Sequence, residues 1–99
     1  MAAAFASRYA TAFLDVVTSA GLEAAAIDRQ LRDFLATWDG SVELRIFFSN
    51  PAVPAKQKVA ILDDLNAKMG LQKELRNLVA VLINNDRIGQ VHEVAAAYR

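Results

Sequence analysis

Apolar residues recur along most of this chain at spacings of three and four, the period of a helix with one buried face. The pattern is interrupted at few places. Gly21, Gly40 and Gly70 each close a helical stretch, where glycine adopts a left-handed conformation at little cost. Asn50-Pro51 and Val53-Pro54 bracket a loop, because a residue before proline is pushed out of helical geometry. Pro54 suits the first turn of the helix after it, where its missing N–H has no bond to lose. These marks predict six helices, at about 4–20, 22–39, 41–48, 54–69, 71–84 and 87–98. Their apolar positions include Phe5, Tyr9, Ala12, Phe13, Val16 and Val17 in the first. The second carries Ile27, Leu31, Phe34, Leu35 and Trp38; the third carries Val42, Leu44, Ile46, Phe47 and Phe48. Leu62 and Leu65 fall in the fourth, Leu75, Leu78 and Leu82 in the fifth, and Ile88, Val91 and Tyr98 in the sixth. In the third, Val42, Leu44 and Ile46 also alternate as in a strand, but a lone strand has no partner to pair with. The expected fold is all-α, a compact six-helix bundle formed by residues 1–99 as a single helical domain.

Charge agrees with that pattern and narrows the function. Asp28 with Arg32, Arg29 with Asp33, and Asp64 with Lys68 are four apart, on faces expected to be wet. Eleven basic and eleven acidic residues give zero net charge, and the basic ones are scattered. Nothing here resembles the basic footprint of a nucleic-acid-binding surface or a polybasic membrane patch. The absence of cysteine excludes disulfides and thiolate metal sites. The apolar N-terminus carries Arg8 and Asp15 and lacks a basic start, so it does not read as a signal peptide. Apolar runs are too short to span a bilayer.

The first and fifth helices depart from a simple amphipathic pattern. Leu78, Val79, Ala80, Val81, Leu82 and Ile83 are consecutive, so the fifth helix is apolar around most of its circumference. The first surrounds Phe5, Tyr9 and Phe13 with Ala2, Ala3, Ala4, Ala6, Ala10 and Ala12, small residues that let another helix approach closely. Two readings stand. Either these helices are the innermost pair of the bundle, or a domain this small leaves some of their apolar surface bare. Bare strips on two neighbouring helices would form a groove suited to an amphipathic helix from a partner. Tyr9 fits the rim of such a groove, because its hydroxyl needs a partner or an exit to water.

Candidate chemistry is sparse. His92, the single histidine, sits beside Glu93, which points elsewhere on the helix, and reads as a surface residue. Asp63 and Asp64 are adjacent and diverge, so they make a poor metal site and read as solvated charges. Ser7, Ser19, Ser41 and Ser49 lack a base; Ser41 reads as the N-cap of the third helix. Lys56 and Lys58 have no glycine-rich loop to cradle phosphate. Trp38 reads as a packing residue. No cofactor, metal or catalytic residue is expected, and a small helical enzyme is disfavoured.

Three segments carry a family resemblance. Arg8-Tyr9-Ala10-x-Ala12-Phe13 resembles the "R-Y-A-x-A-L/F" start of ATP synthase delta subunits and the mitochondrial oligomycin-sensitivity-conferring protein. Ser49-Asn50-Pro51-Ala52-Val53-Pro54 with Lys58 is similar to that family's "NPxIxxxxK" loop. The run from Leu78 to Arg87 is similar to its "FLxLLxENxR" segment, although Asn84-Asn85-Asp86 departs from the acidic–amide pattern there. The motifs stand in family order and spacing and span nearly the whole chain.

The resemblance implies a six-helix bundle and a non-catalytic stator component on the cytoplasmic face of the bacterial inner membrane. Its first and fifth helices would dock the N-terminal helix of the alpha subunit and so hold the catalytic head to the peripheral stalk. The chain would be the N-terminal domain of a longer subunit, with the C-terminal domain that grips the b subunits absent. Carried over by position, Tyr9, Ala12 and Val81 fall on the docking face; helical spacing adds Phe5, Phe13, Leu78 and Asn85. The alternative from another class is a generic helical adaptor, or a homodimerisation domain, using the same apolar surface.

Overall fold

All six expected helices are present in a computed structural model, which describes residues 2–98. They are α1 (Ala2–Ser19), α2 (Ala24–Gly40), α3 (Val42–Ser49), α4 (Ala55–Met69), α5 (Lys73–Asn84) and α6 (Val91–Tyr98). Among the described residues there is no strand. The expected sixth helix is divided: a 3-10 turn, Ile88–Gln90, precedes α6. The division follows from how α5 ends. Asp86 takes a positive φ of 59°, and the Arg87 N–H donates back to the Leu82 carbonyl at 2.7 Å. That reversal turns Ile88 into the core, where it is buried.

Two of the three glycine breaks behave as expected. Gly21 and Gly70 have φ of 66° and 70° and close α1 and α4. Gly40 does not: it is the last residue of α2, without positive φ. Its left-handed cap is unnecessary because Arg45, on α3, donates to the carbonyls of Trp38 and Asp39 at 2.8 and 2.7 Å. A guanidinium supplies the donors, and the positive charge, that a helix C-terminus needs. Ser41 caps the next helix, accepting from the Leu44 N–H at 3.1 Å. Pro54 stands one position before the expected first turn, as the N-cap of α4. In the loop before it, the Asn50 side chain accepts from the Ala52 N–H at 2.9 Å.

The core draws on every helix. Phe13 and Val17 of α1, Leu31, Phe34 and Trp38 of α2, Phe48 of α3, and Leu62 of α4 all enter it. So do Leu75, Val79 and Leu82 of α5, and Val91 and Val94 of α6. Trp38 is sandwiched by Phe34 and Phe48, with ring centroids 6.4 and 6.2 Å away, which makes it a packing residue. Fully burying a side chain of leucine size stabilises by roughly 1.5–3 kcal/mol, so this cluster dominates the fold energy. Lys58 is the one charged residue buried among those described; a long aliphatic stem lets lysine cover apolar surface.

The third helix turns two of its apolar residues outward. Val42 and Ile46 are 60% and 62% exposed. A helix of eight residues makes about two turns and can turn only one face inward. Phe48, with Leu44 and Phe47 partly buried, occupies that face, and Val42 and Ile46 lie opposite. Of the three predicted helical ion pairs, Asp28–Arg32 closes at 2.8 Å. Among the described residues Arg29–Asp33 and Asp64–Lys68 form no ion pair.

What positions the site is an unequal distribution of helix contacts. α1 packs chiefly against α6, and α4 against α5, while α1 and α5 touch lightly. A trough is left between those two.

A candidate docking cleft between the first and fifth helices

α1 has two apolar stripes. Ala6, Ala10, Phe13 and Val17 follow a three-and-four spacing and are buried. Tyr9, Ala12 and Val16 follow the same spacing on an adjoining face and line the trough. α5 is divided likewise. Leu75, Val79, Leu82 and Ile83 are buried, while Glu74, Asn77, Leu78 and Val81 line the opposite wall. The space between is an open cleft of about 300 Å³ with an apolar floor. Val16 and Val81, on opposite walls of the cleft, are 44% and 43% exposed.

One end of the cleft is built from contacts distant in sequence. The Asn85 side-chain amide donates to the Tyr9 hydroxyl at 2.7 Å, which supplies the partner that hydroxyl needs. The Phe5 ring packs edge-on against Tyr9, 4.7 Å between centroids. The Arg87 guanidinium lies 4.6 Å from the Phe5 ring centre, in cation–π range. Tyr9, Asn85, Phe5 and Arg87 thus form one linked group closing the first turns of α1 onto the end of α5.

The structure brings the seven candidate residues together, in different roles. Tyr9, Ala12, Leu78 and Val81 form the walls. Phe5 and Asn85 flank the end just described. Phe13 touches the cleft floor but is only 3% exposed and packs against the Tyr98 ring at 5.1 Å, so it is a core residue first. Burial raises the phenol pKa of Tyr98 above its usual value, with a smaller contribution from the charge of Asp28. The candidates missed are Val16, Glu74 and Asn77. All three continue the spacing already visible from Tyr9 and Ala12, and from Leu78 and Val81, and could have been found by extending it one turn.

The profile of the ATP synthase delta (OSCP) subunit family matches residues 5–99. This chain belongs to that family. It is 46% identical over 97 residues to the ATP synthase subunit delta of Acidobacterium capsulatum, covering 98% of this chain and 54% of that protein. Against the corresponding subunit of Koribacter versatilis it is 36% identical, covering 92% of this chain and 51% of that protein. The chloroplastic ATP synthase delta chain of Spinacia oleracea is 34% identical, over 90% of this chain and 34% of its own length. The chain therefore spans about half the length of its bacterial relatives. No solved structure gives a significant match.

Elsewhere in this delta-family chain two pairs of titratable groups join neighbouring helices. Asp63 accepts two bonds from Arg76, at 2.8 and 3.0 Å, joining α4 to α5. The hydrogen bonds from Arg76 hold its carboxyl below the usual aspartate value. His92 Nε2 is 2.7 Å from an Asp39 carboxylate oxygen, linking α6 to the end of α2, with both side chains about half exposed. No helix of the described residues is long and apolar enough to cross a membrane.

Proposed function

We propose that the cleft between α1 and α5 receives the N-terminal helix of an ATP synthase alpha subunit. Through that contact the chain would act as a non-catalytic stator element, holding the catalytic head against rotation. In this reading the chain works as the N-terminal domain of a longer subunit whose C-terminal part grips the b subunits of the peripheral stalk, at the cytoplasmic face of the bacterial inner membrane. The observation that carries the proposal is the second apolar stripe, Tyr9, Ala12 and Val16 facing Leu78 and Val81 across an open trough. An amphipathic helix presents a complementary stripe at the same spacing. Membership of the ATP synthase delta family supports a partner from the same complex.

Docking a helix of about 20 residues buries roughly 1,200–2,000 Å². Ordering a free peptide opposes it by several kcal/mol, so affinity rests on the fit of a few apolar anchors rather than on area. The zero net charge of the chain makes overall salt dependence weak. The test is titration of the isotopically labelled chain with the alpha-subunit N-terminal peptide, read by amide shifts. Saturable shifts in α1 and α5 are expected. Saturating peptide that moves no resonance in either helix overturns the proposal. Trp38 is an unsuitable reporter, being buried away from the cleft lining. Sedimentation without the peptide is expected to give a monomer; a concentration-dependent dimer that the peptide dissolves would assign the surface to self-association instead.

A further inference from the structure

We propose that Glu74 selects the occupant of the cleft, by requiring a lysine or arginine where the docked helix crosses the first turn of α5. The inference rests on the docking reading above and adds to it the one charged group that the occupant must carry.

Glu74, Leu78 and Val81 form a single stripe of α5, spaced by four and three, with Asn77 beside them. Of the residues lining the cleft, Glu74 alone is charged. The residue is partly buried. It also borders an adjoining hollow with Asp15, Val16, Ser19 and Ala20, so it stands where the cleft opens past Val16. Among the described residues its carboxylate has neither an ion pair nor a hydrogen bond.

The neighbouring cations are turned away or engaged. Lys73 projects about 100° round α5 from Glu74 and lines neither hollow. Arg76 is bound to Asp63, on the α4 side. Arg8 shares a separate hollow with Asp15 on α1 and does not line the cleft. Asp15 adds negative charge beside Glu74.

A carboxylate in the first turn of a helix is favoured by the positive end of the helix dipole, and that accounts for Glu74 in the free chain. Covering the cleft changes its surroundings. A helix laid on Leu78 and Val81 displaces part of the water around the carboxylate, and a charge that loses water without gaining a partner costs free energy. A lysine or arginine across the contact offsets that cost. An apolar or acidic residue does not, so Glu74 discriminates chiefly by rejecting occupants that lack the cation. Spacing places that cation. Glu74 lies about 10 Å along α5 from Val81, at a rise of about 1.5 Å per residue. On a helix running along the trough, the basic residue therefore stands two turns from the apolar residue over Val81, and one turn from that over Leu78. This holds whichever way the helix runs.

The test is a double-mutant cycle between the chain and the alpha-subunit N-terminal peptide, with affinity read from titrated amide shifts. Each lysine and arginine of the peptide is replaced in turn by glutamine, and each peptide is titrated against the native chain and against Glu74→Gln. One replacement should weaken binding to the native chain about three- to tenfold, yet change binding to the variant by less than about twofold. That coupling should shrink at high salt. Glu74→Lys should bind the native peptide more weakly still, and should regain affinity when the identified basic residue is replaced by glutamate. Glu43→Gln, on α3 and away from the cleft, should leave affinity unchanged. The proposal is overturned, with docking left standing on its amide shifts, if no replacement couples to Glu74. It is equally overturned if Glu74→Gln binds the native peptide as tightly as the native chain does. A loss of the same size with every peptide would assign Glu74 to holding the first turn of α5 instead. Absence of any saturable shift with the native peptide overturns docking and selection together.

Discussion

On one side of α5, Leu75, Val79 and Leu82 are sealed beneath the other helices; on the other, Leu78 and Val81 border an open cleft. The residue types are alike and the helix is the same. What differs is the neighbour: α4 closes the first side, and α1 stands too far off to close the second because it is committed to α6. Hydrophobicity alone therefore does not say whether a position stabilises this fold or waits for a partner. Packing around the helix decides it, and mutations on the two sides should separate into effects on stability and effects on binding.

The largest separation should come from Leu82→Ala. The side chain is wholly buried, so its loss should cost about 2–5 kcal/mol of unfolding free energy, read from a urea or guanidinium transition. A cost below about 1 kcal/mol would mean that the core side of α5 is not packed as described. Val81→Asp is the complementary change. It should alter stability by no more than about 0.5 kcal/mol, since the site is exposed. It should weaken alpha-peptide binding by more than tenfold, because a desolvated carboxylate in an apolar contact costs more than about 1.4 kcal/mol. If Val81→Asp unfolds the chain, the two sides of α5 are not distinct.

Tyr9→Phe falls between these. It removes the acceptor of the Asn85 amide but keeps the ring against Phe5. The bond is exposed, so the stability loss should lie near the low end of about 0.5–1.5 kcal/mol. Amide exchange should quicken in the first turns of α1 and the last turn of α5 and remain unchanged in α4. Uniform quickening would mean that the cleft end and the packed side unfold as one unit.

Much of this division could be read from the sequence, and the rest failed for identifiable reasons. The helix count followed from period and punctuation, and Gly21 and Gly70 took the left-handed conformations expected of them. Gly40 did not, because its helix end is capped by Arg45 from the next element, a contact that no local rule anticipates. Val42 and Ile46 are apolar yet face outward, because a two-turn helix has only one inward face, and nothing in the run of five apolar positions says which. The excess apolar surface on α1 and α5 was visible as runs of consecutive apolar residues. Which residues of each run faced inward was not visible, since that depends on which neighbour each helix chooses. Phe13 turned toward Tyr98, and Ala6 and Ala10 became part of the buried face of α1. Gln30, whose side-chain oxygen accepts from the Gln72 N–H at 2.8 Å across 42 residues, gave no sequence signal at all.

The smallest effect should come from the pair that fastens the packed side, Asp63 with Arg76. Both groups are accessible to solvent, so the pair contributes little at neutral pH. Its pH dependence nevertheless has a definite sign. The folded-state pKa of Asp63 is lowered, chiefly by hydrogen bonds from Arg76. The unfolded chain therefore takes up a proton here before the folded one does. The contribution is present in full above the ordinary aspartate value, about 3.9, and is lost as pH falls through that value and the lower folded one. Asp63→Asn should flatten that part of the acid limb of a stability–pH curve while leaving alpha-peptide affinity at pH 7 unchanged. An unaltered acid limb would show that other carboxylates govern it. A change in affinity would show that the α4–α5 fastening sets the width of the cleft, so that the two sides of α5, distinct in burial, are coupled in function.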